Sequence, residues 1–319
     1  MSTDEREIGP DYAPAPQCAF DPNVPAGAVN AFTLRSQDSA FYPGIARIEN
    51  DITRRRDAHG NRIAAAAHEQ SMAMPYVRTV WVYVPKQYER GTAAPFLVVQ
   101  DGYSYMKVMP RVLDNLVAQR RIPALVAVFV DSGGGDAQGS QRGLEYDTVS
   151  GRYSDFIEAE VLPRVAEETG VALTSDPNGR ATMGASSGAA AAFTMAWFHP
   201  ERYSKVLSYS GTYVNQQSPP SDATPRGAWE CHATLIPGAA RKPIRVWLEV
   251  GEKDLHHDDP EETWHNWPLA NRRMAAALKA KGYDYRFTFS RGARHVDPRV
   301  LEQTLPDALE WLWKDFPER

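Results

Sequence analysis

A serine hydroxyl is a weak nucleophile at neutral pH. It needs a turn that exposes it, a base that takes its proton and donors that receive the charge it generates. Gly184-Ala185-Ser186-Ser187-Gly188 has the composition for such a turn. It reads G-x-S-x-G, with the short strand pattern Arg180-Ala181-Thr182-Met183 before it and an Ala-rich run from Ala189 to Phe198 after it. Strand, tight turn and helix form the setting of a nucleophile elbow. Gly184 and Gly188 keep side chains away from a turn that strains the serine backbone. The N-terminus of the following helix favours negative charge beside Ser186. The competing reading is close packing of small residues between a strand and a helix. The placement of a base and an acid discriminates between the two.

Eight histidines are present, so position has to select the base. His295 stands late, in a loop between the strand-like run YDYRFTFS and the last helical segment, downstream of both serine and acid. The imidazole needs an orienting carboxylate, and Asp254 follows the strand pattern RVWLEVG. The order Ser186, Asp254, His295 is that of the α/β-hydrolases, and three loops at one end of a sheet converge on a triad. Glu252 and Asp258 are the rival acids. The run DLHHDDPEE also gathers metal-ligating residue types, but consecutive side chains point in different directions, which favours a solvated loop over a metal site. An oxyanion hole takes two backbone N–H groups. Ser187 is expected to give one, and the turn Asp101-Gly102-Tyr103 after the run FLVVQ the other, which makes Gly102 and Tyr103 candidates. Tyr103 and Tyr105 stand where an acyl pocket would be lined, with simple packing as the plainer role.

The elements that must position these residues are legible from about Val77. VRTVWVYVP alternates as a half-buried antiparallel strand does. FLVVQ and ALVAVFVDS are continuous apolar runs, typical of strands buried on both faces. SKVLSYSG and KPIRVWLEVG read as further strands. MKVMPRVLDNLVAQRRI, DTVSGRYSDFIEAEVLPRVAEETG, WPLANRRMAAALKAKG and PRVLEQTLPDALEWLWKDF have helical spacing, the third with Gly282 at its C-cap position. Strands alternating with helices predict a mostly parallel twisted sheet with helices on both faces and a site at the C-terminal ends of the strands. Residues 1–75 read as an irregular arm with one or two edge strands, and RRRDAHGNRI within it as a charged hairpin tip or solvated loop. Residues 76–319 read as one catalytic domain. Gly133-Gly134-Gly135 lacks the lysine and following helix of a phosphate loop, and reads as a mobile loop near the site.

With these residues in place, the chain resembles the esterase branch of the α/β-hydrolases that holds the enterochelin, feruloyl and acetyl-xylan esterases and esterase D. The likeness runs from about Val77 to the C-terminus and is greatest to the hydrolase domain of the enterochelin esterases. It rests on VVQDG, on RGLEYDTVSGRYSDFIEAEVLPRV ahead of the elbow, and on FHPERYSKVLSYSGTY after it. The resemblance implies an α/β-hydrolase fold with Ser186 as nucleophile, His295 as base and Asp254 as acid. It places Gly102, Tyr103 and Ser187 around the oxyanion hole. Arg142 and Glu145 match an Arg-x-x-Glu pair near the pocket, either touching substrate or bracing the loop as an ion pair, the brace being favoured. The family's G-x-S-x-G-G continues here with Ala189 in place of the last glycine. The N-terminal binding domain of full enterochelin esterases has no counterpart in residues 1–75.

Length and composition set the remaining bounds. The 319 residues suffice for one large core, and 43% hydrophobic with 24% charged residues is ordinary for a globular chain. A net charge of −5 offers no basic field to nucleic acid or acidic membranes. No apolar run approaches a membrane span, and MSTDEREIGPDY lacks the apolar core of a secretory signal. Cytoplasmic location is therefore expected, though a secreted chain trimmed of its signal would read the same. Cys18 and Cys231 sit far apart and suggest neither a metal site nor a disulfide. The expected protein is a serine ester hydrolase without cofactor, acting on a small-molecule ester. Tyr103, Arg142, Glu145 and Trp264 are its expected substrate contacts. An acyltransferase on the same fold and a non-catalytic binding member are the alternatives, and a homo-oligomer is left open.

Overall fold

The computed structural model describes residues 3–44, 75–135 and 138–316. RRRDAHGNRI lies outside them, as do Asp136 and Ala137 of the glycine-rich loop. In chain order the strands are β1 (Thr3–Ile8), β2 (Ala28–Arg35), β3 (Val77–Val84), β4 (Ala93–Ala94), β5 (Phe96–Gln100) and β6 (Val126–Val130). They continue with β7 (Ala172–Leu173), β8 (Arg180–Ala185), β9 (Lys205–Tyr209), β10 (Arg245–Lys253) and β11 (Asp284–Arg294). The longer helices are α1 (Met109–Ala118), α2 (Gln141–Tyr146), α3 (Arg152–Phe156), α4 (Leu162–Thr169), α5 (Ser187–Phe198), α6 (Trp267–Ala280) and α7 (Pro298–Trp313).

Nine strands form one sheet in the order β1-β11-β10-β9-β8-β5-β6-β3-β2. It is parallel from β1 to β6, and β3 and β2 close it antiparallel. The apolar runs of β5, β6, β8 and β9 are buried along their whole length, as strands covered on both faces must be. Their side chains alternate between two layers: Phe96 and Val98 join one core cluster, Leu97 and Val99 the other. Phe193 and Trp197 of α5 and Met274 and Leu278 of α6 fill the first layer. Leu113 and Leu116 of α1 and Leu309 and Leu312 of α7 fill the second. Helix α5 is buried all round from Ser187 to Trp197, which its Ala, Phe, Met and Trp composition allows. Ala189, the departure from the family's glycine, is fully buried there.

The arm supplies both edges of the sheet. β2 overlaps the segment expected to give edge strands. β1 does not look like a strand in sequence, because TDEREI carries charges where a strand would carry apolar residues. Those charges are paired: Arg6 with Asp307 at 2.6 Å, Asp4 with Arg286 at 3.0 Å and Glu7 with Arg291 at 2.7 Å. A charged outer strand also discourages edge-to-edge association.

Every loop expected to hold the site leaves the same end of the sheet, since β5, β6, β8, β9, β10 and β11 run parallel. At the turn after β8 a Cβ on Gly184 would lie 2.2 Å from the Gly188 backbone. Gly184→Ala is therefore expected to cost about 1–3 kcal/mol, the usual range for overpacking. A thermal melt reads this directly, and an unchanged midpoint would mean that the turn relaxes without strain.

Candidate active site

Ser186 has φ 56° and ψ −130°, a conformation that a non-glycine residue keeps only when its surroundings enforce it. Two backbone bonds do so: its N–H donates to the Tyr209 carbonyl at 3.0 Å, and its carbonyl accepts from the Thr212 N–H at 3.1 Å. The side chain then stands above the sheet with Nε2 of His295 at 2.9 Å from Oγ. Nδ1 of the same ring lies 2.5 Å from Oδ1 of Asp254. An ionised carboxylate only accepts, so Nδ1 carries the proton and Nε2 is left to accept from the serine. Asp254 is buried and its Oδ1 also takes the Leu255 N–H at 2.6 Å. The structure thus brings Ser186, His295 and Asp254 into one hydrogen-bonded line. Of the rival acids, Glu252 is held by Gly292 N–H and Arg291, and Asp258 is 91% exposed beside His257.

Three surrounding features had no signal in the sequence. The Thr212 hydroxyl lies 3.4 Å from Ser186 Oγ, and Thr212 is buried at the end of the YSGTY segment. Ser210 Oγ accepts the Val296 N–H at 3.0 Å, pinning the residue after His295. Ser210 and Val296 both have positive φ, as do Asp101 and Trp264, so backbone strain gathers around this end of the sheet. Behind Asp254, Glu249 of β10 is buried, and its carboxyl is pushed up to about 8, by burial first and then by the nearby carboxylates of Asp254 and Asp297. Asp297 is held below its ordinary value by Arg299. A neutral Glu249 spares the triad a second buried negative charge.

The turn after β5 holds Gly102 and Tyr103, two of the residues expected to give oxyanion donors; Ser187 lies in the turn after β8. The N–H groups of Ser187 and Gly102 have no hydrogen-bond partner among the described residues. The Tyr103 N–H, in contrast, donates to Asp131 Oδ1 at 3.0 Å. Arg142 and Glu145 do not pair with each other, which corrects the ion pair expected between them. The Arg142 fork grips the Asp101 carboxylate, with Nη2 to Oδ2 at 2.7 Å and Nε to Oδ1 at 3.0 Å. Glu145 pairs instead with Arg78 of β3, Nη2 to Oε1 at 2.7 Å and Nη1 to Oε2 at 2.8 Å, both side chains buried. Glu145 also accepts from Tyr76, Gln141 and the Gly133 N–H. Both residues of the Arg-x-x-Glu pair brace the site, each through a partner distant in sequence.

Tyr103 is 69% exposed and packs its ring 6.0 Å from that of Trp81. Trp264 is 37% exposed, with Arg226 over its ring. Its carbonyl accepts from Asn215 N–H, next to Gln216, which donates to Ser187 Oγ at 3.3 Å and to Asp147 at 2.9 Å. Tyr105, Trp229 and Cys231 are buried in the core. His256 and His257 each pair with an adjacent aspartate, Asp259 and Asp258. Among the described residues no three His, Cys, Asp or Glu side chains converge on a metal-sized site, and no helix is long and apolar enough to cross a membrane.

A serine, a histidine and an acid at the C-terminal ends of a mostly parallel sheet define an α/β-hydrolase fold of the esterase type. The family model described as "Putative esterase" matches residues 71–312, and the chain belongs to that family. It is 24% identical over 256 residues to "Uncharacterized protein YbbA" of Bacillus subtilis strain 168, covering 74% of this chain and 92% of that protein. Among solved structures it is similar to the enterobactin esterase FES of Shigella flexneri with 2,3-dihydroxy-N-benzoyl-glycine, at 19% identity and a TM-score of 0.60. That match covers 96% of this chain but 63% of the Shigella protein, so the chain spans less than two thirds of it. A ferulic acid esterase of Anaeromyces mucronatus, in complex with ferulic acid, matches at 13% identity and a TM-score of 0.58, over 95% of this chain and 96% of that one.

Two substitutions probe the charges that frame the site. Glu145→Gln leaves Arg78 buried without its counter-charge and is expected to cost about 3–5 kcal/mol; a urea titration giving less than 1 kcal/mol would contradict this. Glu249 releases its proton at a lower pH in the unfolded chain than in the folded one. Stability should therefore fall as pH rises from about 5 to about 8, as the unfolded state ionises first. Glu249→Gln is expected to flatten that decline and to melt higher than the unsubstituted protein at pH 8. Parallel melting curves for the two would remove Glu249 as the cause.

Proposed function

We propose that the protein is a serine carboxylic ester hydrolase that works through an acyl-enzyme on a small-molecule ester. The observation that carries this reading is the unbroken hydrogen-bonded line from Ser186 Oγ through His295 to Asp254. In this reading His295 Nε2 takes the Ser186 proton as Oγ attacks the ester carbonyl. Asp254 holds the ring in the tautomer that leaves Nε2 free and balances the imidazolium. Backbone N–H groups of Ser187 and of the turn after β5 receive the oxyanion. His295 then protonates the leaving alcohol, and a water activated by the same imidazole releases the acid. The chemistry asks for no cofactor.

An ester bearing an aryl or sugar ring, a siderophore-type ester included, is the favoured substrate class. Tyr103 and Trp264 present exposed rings on the rim, and aromatic faces suit flat or apolar rings. One similar solved structure was obtained in the presence of 2,3-dihydroxy-N-benzoyl-glycine and another in complex with ferulic acid, both ring-bearing compounds. Tyr103 and Trp264 are the proposed substrate contacts, while Arg142 and Glu145 support the loops behind them.

The test is hydrolysis of p-nitrophenyl acetate to octanoate, methyl ferulate, an acetylated sugar and a catecholate trilactone by the wild type and by Ser186→Ala. The variant is expected to lose a factor of about 10⁴ or more in kcat, the scale of triad deletions. Retained activity in Ser186→Ala would sink the mechanism, and a fluorophosphonate that fails to label the wild type would argue for a binding protein.

A further inference from the structure

If the protein is the serine esterase proposed above, the turn after β5 has to offer an N–H to the oxyanion, and two adjacent N–H groups compete for that role. Tyr103 N–H is already engaged by Asp131 Oδ1. Asp131 comes directly after β6, and β6 lies on the side of β5 away from β8, the strand that leads to Ser186. The bond therefore draws the Tyr103 N–H away from the nucleophile.

The rest of the turn is held just as firmly. Asp101 N–H donates to Tyr146 Oη at 3.2 Å, and the Asp101 carboxylate is gripped by Arg142. Gly102 lies flat on β6, where an added Cβ would stand 2.6 Å from the Phe129 backbone. The Tyr105 side chain is buried below. Asp131 is itself anchored: its N–H donates to the Thr79 carbonyl at 3.1 Å, and its carbonyl accepts from Arg78, which is locked onto Glu145. Burial raises the Asp131 carboxyl above its ordinary value, while the Tyr103 N–H opposes that rise, as a donor to the charged form does. Arg78 and Arg142 offset the negative charge that Asp131 and Asp101 bring near a developing oxyanion. The remaining N–H of this turn without a partner among the described residues is that of Gly102.

We propose that Asp131 is a positioning residue: by holding the Tyr103 N–H toward β6 it turns the loop so that the Gly102 N–H, with that of Ser187, forms the oxyanion hole. The opposite arrangement would have Asp131 occupying an N–H that the oxyanion needs, and the two differ in sign. Asp131→Ala removes the acceptor and should lower kcat by a factor of about 10 to 100, below the full loss of one oxyanion donor, with KM within about threefold and fluorophosphonate labelling slowed in parallel. Asp131→Asn keeps an acceptor oxygen in place and should stay within about threefold of wild type. A purely structural role would change the melting temperature without this split between kcat and KM. Should Asp131→Ala not fold, Asp131→Ser, whose shorter side chain leaves the Tyr103 N–H out of reach, is expected to show the same loss. An Asp131→Ala or Asp131→Ser enzyme as fast as the wild type, or faster, overturns the proposal. Wild-type activity on p-nitrophenyl acetate that disappears in Ser186→Ala is the control: without it the esterase reading fails first, and with it the Asp131 result stands alone.

Discussion

The site depends on one strained turn. Ser186 adopts positive φ between a strand and a helix, and the conformation survives because backbone atoms on both sides fix it. Gly184 meets the Gly188 backbone so closely that no side chain fits. The Tyr209 carbonyl and the Thr212 N–H take the two polar groups of Ser186 itself. The cost of that conformation is carried by the central sheet, whose four buried strands cannot shift without opening both core layers. The exposure of the Ser186 side chain and the packing of the sheet are therefore one property of the molecule.

Around this turn the charges are arranged in buried or half-buried sets, each with its own partner. Arg78 serves Glu145 and Arg142 serves Asp101, while Asp254 takes the Nδ1–H of His295 and the Leu255 N–H. Glu249, with no such partner among the described residues, is held neutral by burial. Unpaired buried charge is the arrangement a low-dielectric site tolerates least, and here the loops from β3, β5, β6 and α2 are tied together by supplying the partners.

The residues of the hydrogen-bonded line are legible in the sequence because each comes just after a recognisable strand, and strand order alone places such loops at one end of a parallel sheet. Ser186, Asp254 and His295 need only that rule. Arg142 and Glu145 stand out as a pair but are not each other's partners: spacing along a helix says which side chains are neighbours, and not which charge from another strand captures them first. Asp131, Thr212 and Arg78 are invisible in sequence for the same reason, since their contacts cross the sheet. β1 escapes notice because its charges match no strand pattern until the partners on β11 and α7 are known.

The placement of β1 links the two ends of the chain in time as well as in space. β1 lies alongside β11, the strand that delivers His295, and their registers match residue for residue from Thr3 with Tyr285 to Ile8 with Ser290. During synthesis Ile8 emerges long before Asp284, so this ladder has no partner until almost the whole hydrolase domain has been made. Such a distant contact is slow to close and forms late. β11 pairs with β10 along its other side, so β1, made first, closes an edge that one of the last elements opens to it.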